Sequence, residues 1–478
     1  MSLVHPILPR RLVYPLQERL LKRPTFAYLA ELERTQWLPR EEIERLQMRK
    51  LARLLSLAVA HCPWHAARLE AAGLSGVTPD TELGPEMLAR IPTMTKADAQ
   101  LDGARMCWRA VPGGAFAYNT GGSSGQPLQF LFGRLRQASD AAGRMRARRW
   151  WGAEVGEPEV YLWGAPVELG KTDLVKTVRD RLLNQLVLNA FEMSPANMDA
   201  YLVAIERFDP VCLYGYASSV ALLAAHARER RRIPCLRALR VVCTTGEPLY
   251  PHQRELIAAV FGVPVANEFG SRDIGFTAHE SPAGQMLLMS ESIIVEVLDA
   301  DGHRVAPGET GEAVMTGLCS DAQPFIRYRS GDLVSLAAEP CRHGRGLHVI
   351  DRVAGRTTDF VVRRDGAIMH ALAVIYILRA VEGVAEFKVI QHALERVEVQ
   401  IVPDARWHDR SKADIDRQFK RRLGDSVAVD IVLRDAIAAE ASGKHRYVVS
   451  HVPLPLDADV AAPAGPVDRE DEKKARSC

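Results

Sequence analysis

From Val160 to Gly270 the chain alternates short apolar runs with helical stretches, an order that few folds can accommodate. "VYLWG", "VCLYG", "LRVVCTTG" and "VPVANEFG" are strand-like, rich in β-branched and aromatic residues, and each closes on Gly. Between them, "NMDAYLVAIERF", "SVALLAAHARERR" and "QRELIAAVFG" carry apolar residues at helical spacing. Strands separated by a helix run parallel, because a parallel neighbour needs a long crossover. The reading is therefore α/β, with βαβ units around a parallel sheet. After Gly275 strands dominate: "IIVEVLDADGHRV" and "GEAVMTGL" are joined by Asp-Gly and Pro-Gly turns, and "RYRSGDLVSL" follows.

Helices precede this core. Residues 31–73 read as helical, with Pro39 near the start and Gly73 near the end, and "RQASDAAGRMRARRWWGA" reads as another helix. Past about residue 356 a smaller α/β unit follows: strand-like "DFVVRR", helical "HALAVIYILRAVEG", strand-like "RVEVQIVPD", helical "KADIDRQFKRRLG" and strand-like "VAVDIVL". The tail from Asp457, rich in Ala, Pro and charge, is expected to be disordered. At 478 residues the chain is too long for one ordinary core.

The balance of 61 basic and 59 acidic residues, net +2, argues against a nucleic-acid partner, which would need a basic excess against phosphate. No apolar run approaches the ~20 residues that span a bilayer. "RRLVYPLQERLLKRP" suits either a membrane surface or the protein's own body, and its shortness and Pro15 favour the body. The eight cysteines (Cys62, Cys107, Cys212, Cys235, Cys243, Cys319, Cys341, Cys478) show no C-x-x-C pair. Reduced thiols and a cytoplasmic location are expected.

The segment "YNTGGSSGQPLQF", residues 118–130, follows strand-like "AFAYN". Its small residues let successive backbone N–H groups point into one concavity, and Thr120, Ser123 and Ser124 add hydroxyl donors, which suits polyphosphate. It is no Walker A loop, because Gly125 precedes Gln126 and Pro127 rather than Lys and Ser/Thr. Further along come "TTGEP", "NEFGSRDIG", "YRSGD" ending in Asp332, "DRVAGRTTD", and "ASGKHRY" with Lys444 in a Gly-containing turn. Singly these are ordinary turns and solvated charges. Their order carries the information.

The ordered set resembles the adenylate-forming superfamily, and within it the phenylacetate–CoA ligase-like branch that includes capsular polysaccharide biosynthesis ligases. "LNAFEMSP", "LYGYASSVALLA", "TTGEPLYPHQRELIAAVFG" and "GKHRYVVS" carry the likeness to that branch, over about residues 30–455. The resemblance implies a large N-terminal domain of layered sheets and helices, 1–356, and a small mobile C-terminal domain, 357–456, hinged near Thr357 and Thr358. It implies ATP-dependent conversion of a carboxylic acid to an acyl-adenylate with loss of pyrophosphate. Acyl transfer follows, to coenzyme A or else to an amine or a carrier-protein thiol.

The same resemblance assigns roles. Thr120, Gly121, Gly122, Ser123, Ser124 and Gly125 look like the loop that grips the β- and γ-phosphates. Lys444 matches the catalytic lysine brought in by the small domain. Asp332 looks like the acceptor for the ribose hydroxyls, with Arg352 and Arg356 near ribose and phosphate. Gly246, Glu247 and Pro248, with Asn267, Glu268, Phe269, Gly270 and Ser271, are expected around the adenine. Asp273 stands where relatives carry the Glu that binds Mg²⁺, one methylene shorter. Leu128 stands where relatives often carry a polar residue, which shifts the phosphate grip toward backbone.

Some relatives hold a structural zinc. Here the matching places read His279, Ser281, Cys341 and His343, and three ligands with a serine do not close a tetrahedral site. Trp163, Tyr214, Gly215 and Tyr216 are candidates to line the acyl pocket, core packing being the other reading of each aromatic. A monomer or homodimer is expected. A non-catalytic assembly protein with this fold is the rival reading, against which the retention of Lys444, Asp332 and the loop argues.

Overall fold

The computed structural model describes residues 4–119, 128–164, 179–190, 192–246, 249–299, 301–355, 360–365, 368–370, 372–437 and 447–452. Strands β1 (Phe116–Asn119) and β2 (Gln129–Phe132) form an antiparallel hairpin. Eleven strands form one sheet: β3 (Glu159–Trp163), β4 (Gln185–Asn189), β5 (Cys212–Tyr216), β6 (Val241–Thr245), β7 (Val265–Ser271), β8 (Gly275–Glu280), β9 (Met286–Leu288), β10 (Ile293–Leu298), β11 (Gly311–Gly317), β12 (Tyr328–Leu336) and β13 (Val349–Gly355). Their order is β10-β11-β12-β13-β9-β8-β7-β6-β5-β3-β4.

The pairing changes character at β7. β4, β3, β5, β6 and β7 run parallel, whereas every pairing from β7–β8 to β11–β10 is antiparallel. The βαβ cadence ends where the change falls. Helices Pro195–Phe208, Ala217–Glu229 and Pro251–Phe261 supply the crossovers and bury Leu202, Leu223 and Ile257 against Val160, Leu213 and Val242. β4 was not among the expected strands. It extends the parallel end beyond β3.

Helices Thr25–Thr35, Arg40–His61 and Pro63–Ala71 fulfil the helical reading of residues 31–73, and Arg134–Trp150 is the other expected helix. Arg146, on that last helix, is wholly buried beside the equally buried Glu291. Its Nη1 donates to Glu291 Oε1 at 2.5 Å and its Nη2 to Oε2 at 3.2 Å, while Thr35 Oγ1 donates to the same Oε1 at 3.0 Å. One ion pair thus joins an N-terminal helix, the Arg134–Trp150 helix and the turn before β10.

His65 is buried in the helix Pro63–Ala71, its Nε2 2.9 Å from the Pro324 carbonyl oxygen. Burial pushes its imidazole down to about 3, with the charge of Arg68 adding to the effect. The folded protein therefore holds this group neutral while the unfolded chain protonates it below about 6.5. Stability from this source is present above about pH 6.5 and is lost as pH falls toward 3, with a slope approaching ~1.4 kcal/mol per pH unit. A His65→Gln variant should show a flatter acid limb than wild type in urea unfolding followed from pH 7 to pH 4.

The C-terminal strands are β14 (Phe360–Val362), β15 (Ile368–His370), β16 (Val384–Ala393), β17 (Arg396–Pro403), β18 (Ala428–Leu433) and β19 (Val448–Ser450). β14 pairs β15, and the other four form a sheet in the order β18-β17-β16-β19. The unit has its own core, in which Val374, Leu378, Val389, Val399, Ile415 and Phe419 pack together. Ile415, Phe419 and Leu423 recur every fourth residue along the helix Asp409–Leu423, which puts one apolar stripe on the sheet. Thr357, Thr358 and the tail from Asp457 lie outside the described residues.

Candidate active site at the carboxyl ends of the parallel strands

In a parallel sheet the loops that follow the strands gather along one edge, and ligands bind there. The register at this edge aligns Trp163 of β3, Tyr216 of β5, Thr245 of β6 and Glu268 of β7 in one row, with His279 of β8 opposite Glu268. Tyr161, Tyr214, Cys243 and Ala266 form the row below. Trp163 stacks on Tyr216 with centroids 4.4 Å apart and planes 17° apart, and lies 5.7 Å from Tyr214. The three expected aromatics therefore form one wall. Gly246 follows directly, at φ +78°, and a Cβ there would lie 3.2 Å from the Tyr216 ring, so a side chain would crowd the wall. Gly215 faces the other way, where a Cβ would meet the Leu162 carbonyl oxygen at 2.8 Å.

Below the wall is a polar layer. Tyr214 Oη donates to Glu268 Oε1 at 3.0 Å and Thr245 Oγ1 to the same oxygen at 3.2 Å, with Arg144 Nε 3.6 Å away. Arg148 Nη1 reaches Glu159 Oε1 at 2.6 Å and Tyr161 Oη at 2.9 Å. Burial, reinforced by the Glu268 carboxylate, holds the Tyr214 phenol well above its ordinary range, so it stays a donor. Burial also holds His279 below its ordinary value, against the opposing pull of Glu268.

Period two divides the expected adenine contacts. Glu268 joins the aromatic side, whereas Asn267 lies on the other face with Gly215 and Thr244. Its backbone N–H donates to Glu280 Oε2 at 2.9 Å. Phe269 packs against the apolar cluster of Phe130, Ile274 and Tyr328. Gly270 and Ser271 end β7, and Ser271 Oγ accepts from the Ile274 N–H at 3.2 Å in the turn that holds Asp273. Glu247 and Pro248 lie outside the described residues.

The sheet curls back on itself at this turn. Asp332 and Glu268 stand four strand spacings apart in strand order, ~19 Å if the sheet were flat. Yet Tyr328, at the start of β12, donates its Oη to Asp273 Oδ2 at 2.8 Å. Ser330, Gly331 and Asp332 then face the single residue Ala313 of β11 in a bulge, with Gly331 at φ +75° and Ser330 Oγ donating to the Ala313 carbonyl oxygen at 3.0 Å. A bulge re-aims a side chain. It is the structural form of "YRSGD". Arg352 is exposed opposite Ser335, ~10 Å along β12 from Asp332.

Thr120–Gly125, Arg356 and Lys444 lie outside the described residues, but their flanks are placed. The β1–β2 hairpin carries the glycine-rich segment between Asn119 and Gln129. Leu128 is wholly buried with Phe130, so it anchors the hairpin in the core. Tyr118 stacks on Phe132 at 4.8 Å, and the Arg272 guanidinium lies 5.8 Å from the Tyr118 ring. The end of β1 thus lies beside Arg272 of the Ser271–Asp273 turn. From the C-terminal unit, Arg379 is held below its ordinary value by burial, and the charge of Arg272 pushes the same way.

Both Asp273 oxygens already accept one hydrogen bond, from Tyr328 Oη and the Ile274 N–H. Each keeps a second acceptor site, so the carboxylate fits a hard cation that retains several waters. The zinc candidates His279, Cys341 and His343 do not gather within 4.8 Å of one another. His279 bonds the Glu280 carbonyl oxygen through Nδ1 at 2.8 Å, Cys341 packs with Ile43 and Leu347, and His343 is exposed. Among the described residues, the ligating side chains that gather within 4.8 Å are Asp299, Asp301 and His303, on an exposed turn.

Sequence reasoning missed Arg144, Arg148, Glu159, Tyr161 and Thr245. Arg144 and Arg148 sit one turn apart on an expected helix. That spacing was the one available signal, and it did not say which face met the sheet.

The fold, a large sheet domain followed by a small C-terminal α/β unit, is shared with solved CoA ligases. A 2-hydroxyisobutyryl-CoA ligase solved with 2-HIB-AMP and CoA superposes with TM-score 0.61 at 20% identity, over 90% of this chain and 93% of that one. Residues 361–451 match the CapK C-terminal domain family. Protein CapK of Staphylococcus aureus is 23% identical over 340 residues, 70% of this chain and 74% of its own length. A phenylacetate-coenzyme A ligase of Thermus thermophilus is 26% identical over 419 residues, 85% of this chain and 88% of its own. Along most of its length the chain is thus similar to phenylacetate–CoA ligases and to CapK. Among the described residues no helix is long and apolar enough to cross a membrane.

Proposed function

We propose that the chain joins a carboxylic acid to AMP at this edge and then passes the acyl group to coenzyme A. A carboxylate oxygen attacks the α-phosphorus of ATP, and the bond to pyrophosphate breaks. A thiol then attacks the acyl carbonyl carbon, and AMP leaves. The observation that supports this most is the convergence of three features: the aromatic wall ending at Gly246, the Arg272–Asp273 turn beside the glycine-rich hairpin, and the bulge bearing Asp332. The similarity to a phenylacetate–CoA ligase along most of the chain supports it independently.

In this reading Trp163, Tyr214 and Tyr216 receive the acid, and Tyr214 and Thr245 fix Glu268 behind it. Backbone and hydroxyl groups of 120–125 hold the phosphates, Asp273 holds Mg²⁺, and Arg352 and Arg356 assist at ribose and phosphate. Mg²⁺, when bound, offsets charge on the phosphates. Lys444 brings an ammonium between two anions. Pyrophosphate release across a panel of aliphatic and aromatic acids, with and without coenzyme A, tests the proposal. A hydroxylamine trap separates adenylate formation from transfer, and an amine or carrier-protein acceptor would give turnover without coenzyme A. Absence of pyrophosphate release with every acid would overturn the reading.

Asp332 presents a short carboxylate to a vicinal diol. Its replacement by Ala removes a charged acceptor worth ~1.5–3 kcal/mol. Asp332→Ala should therefore weaken ATP binding by about ten- to a hundredfold and leave acid binding nearly unchanged. Calorimetry that found ATP affinity intact would remove its ribose role.

A further inference from the structure

The N-terminal helix turns a row of leucines to water. It runs from Pro9 to Leu20, wound as a π-helix over Pro9–Val13 and as an α-helix over Tyr14–Leu20. One face is fixed to the body. Pro9 is buried, Tyr14 packs edge-on against Phe26, and Tyr14 Oη accepts from Gln185 Nε2 at 3.2 Å. Asn184 Nδ2 donates to the Val4 carbonyl oxygen at 2.9 Å. Ile7, Leu8, Leu12, Leu16 and Leu20 remain 42–73% exposed. The expectation that this segment packs against the body therefore holds for one face only. The leucines recur every fourth residue, one line ~18 Å long.

The charges on this face have a single sign. Between residues 4 and 24 the one acid is Glu18, which is buried and bonded to Thr25 and Arg23. Arg10 is paired with Glu154 at 3.2 Å. Arg11, Arg19 and Lys22 are exposed, with no acidic partner among the described residues. The anchoring segment around Asn184 adds exposed Leu182, Val187 and Arg181.

We propose that this face docks on the surface of an anionic lipid bilayer. Leucines in line along a helix lying flat reach the boundary between headgroups and acyl chains, and flanking Arg and Lys meet lipid phosphates. Charge complementarity selects this occupant over a second copy of the chain, since two such faces would set Arg11, Arg19 and Lys22 of each copy against the same cations of the other.

The test is sedimentation of the full chain with vesicles of phosphatidylcholine alone or with added phosphatidylglycerol. Binding to the anionic vesicles should exceed binding to the neutral ones at least tenfold and should fall as salt is raised. Leu12→Gln/Leu16→Gln/Leu20→Gln should lose at least tenfold of that binding while keeping the wild-type circular dichroism spectrum, because all three positions are exposed. Arg11→Gln/Arg19→Gln/Lys22→Gln should erase the preference for anionic vesicles. No binding to either vesicle, or binding untouched by the leucine changes, overturns the proposal. So does a dimer in sedimentation equilibrium that the leucine changes dissolve while vesicles bind nothing, since the face is then an interface between copies.

Discussion

A Lys444→Ala variant should lose acyl-adenylate formation by a hundredfold or more while still transferring the acyl group from a supplied acyl-AMP. The argument begins with charge. A carboxylate and an α-phosphate repel as they meet, and charge builds on the phosphoryl oxygens at the transition state. A preorganised cation in a site shielded from water is worth most there, and removing one such donor costs on the order of a hundredfold. The second half-reaction is different, because a neutral acyl carbonyl meets a thiol and the leaving group is already AMP. Pyrophosphate exchange measures the first step, and thioester formation from synthetic acyl-AMP the second. Equal loss in both assays would contradict a lysine that serves one step only.

Arg146→Met should destabilise the protein by ~3–5 kcal/mol, because it strands the Glu291 carboxylate in the interior. Glu291 keeps the Thr35 hydroxyl as a partner, but a single neutral donor does not replace a two-pronged guanidinium. The paired variant Arg146→Met/Glu291→Leu should recover most of the loss, since it removes both charges together. Urea unfolding of the wild type, the single and the double variants measures all three. A single variant within 1 kcal/mol of wild type, on the scale of exposed pairs, would mean that water reaches the pair.

Legibility in the sequence followed locality. β5, β6 and β7 were readable because each is a short apolar run closed by Gly, and the helices between them keep one period. β4 and β16 were missed for different reasons. β4 is a five-residue edge strand that opens on Gln185, whereas "VAEFKVIQHA" of β16 alternates apolar and polar residues beside a helix that draws the eye. The aromatic wall was readable because Tyr214 and Tyr216 share a strand face, and the same period could have separated Asn267 from Glu268 beforehand. The Ser330–Asp332 bulge was not readable, since nothing in "YRSGD" says that three residues face one. Nor were Arg144 and Arg148, whose meaning depends on which side of a basic helix docks on the sheet.

The last strand has a bearing on the proposed lysine. β19 runs parallel to β16, and the wholly buried Gln391 fastens it there, its side-chain amide bonding both Ser450 and the backbone of Val362. Lys444 stands three residues before Tyr447, whose carbonyl oxygen accepts from the Val389 N–H at 2.6 Å. Three residues of chain extend ~11 Å at most. The cation is thus on a short leash to a stiff sheet, and any longer journey that it makes is a journey of the whole C-terminal unit.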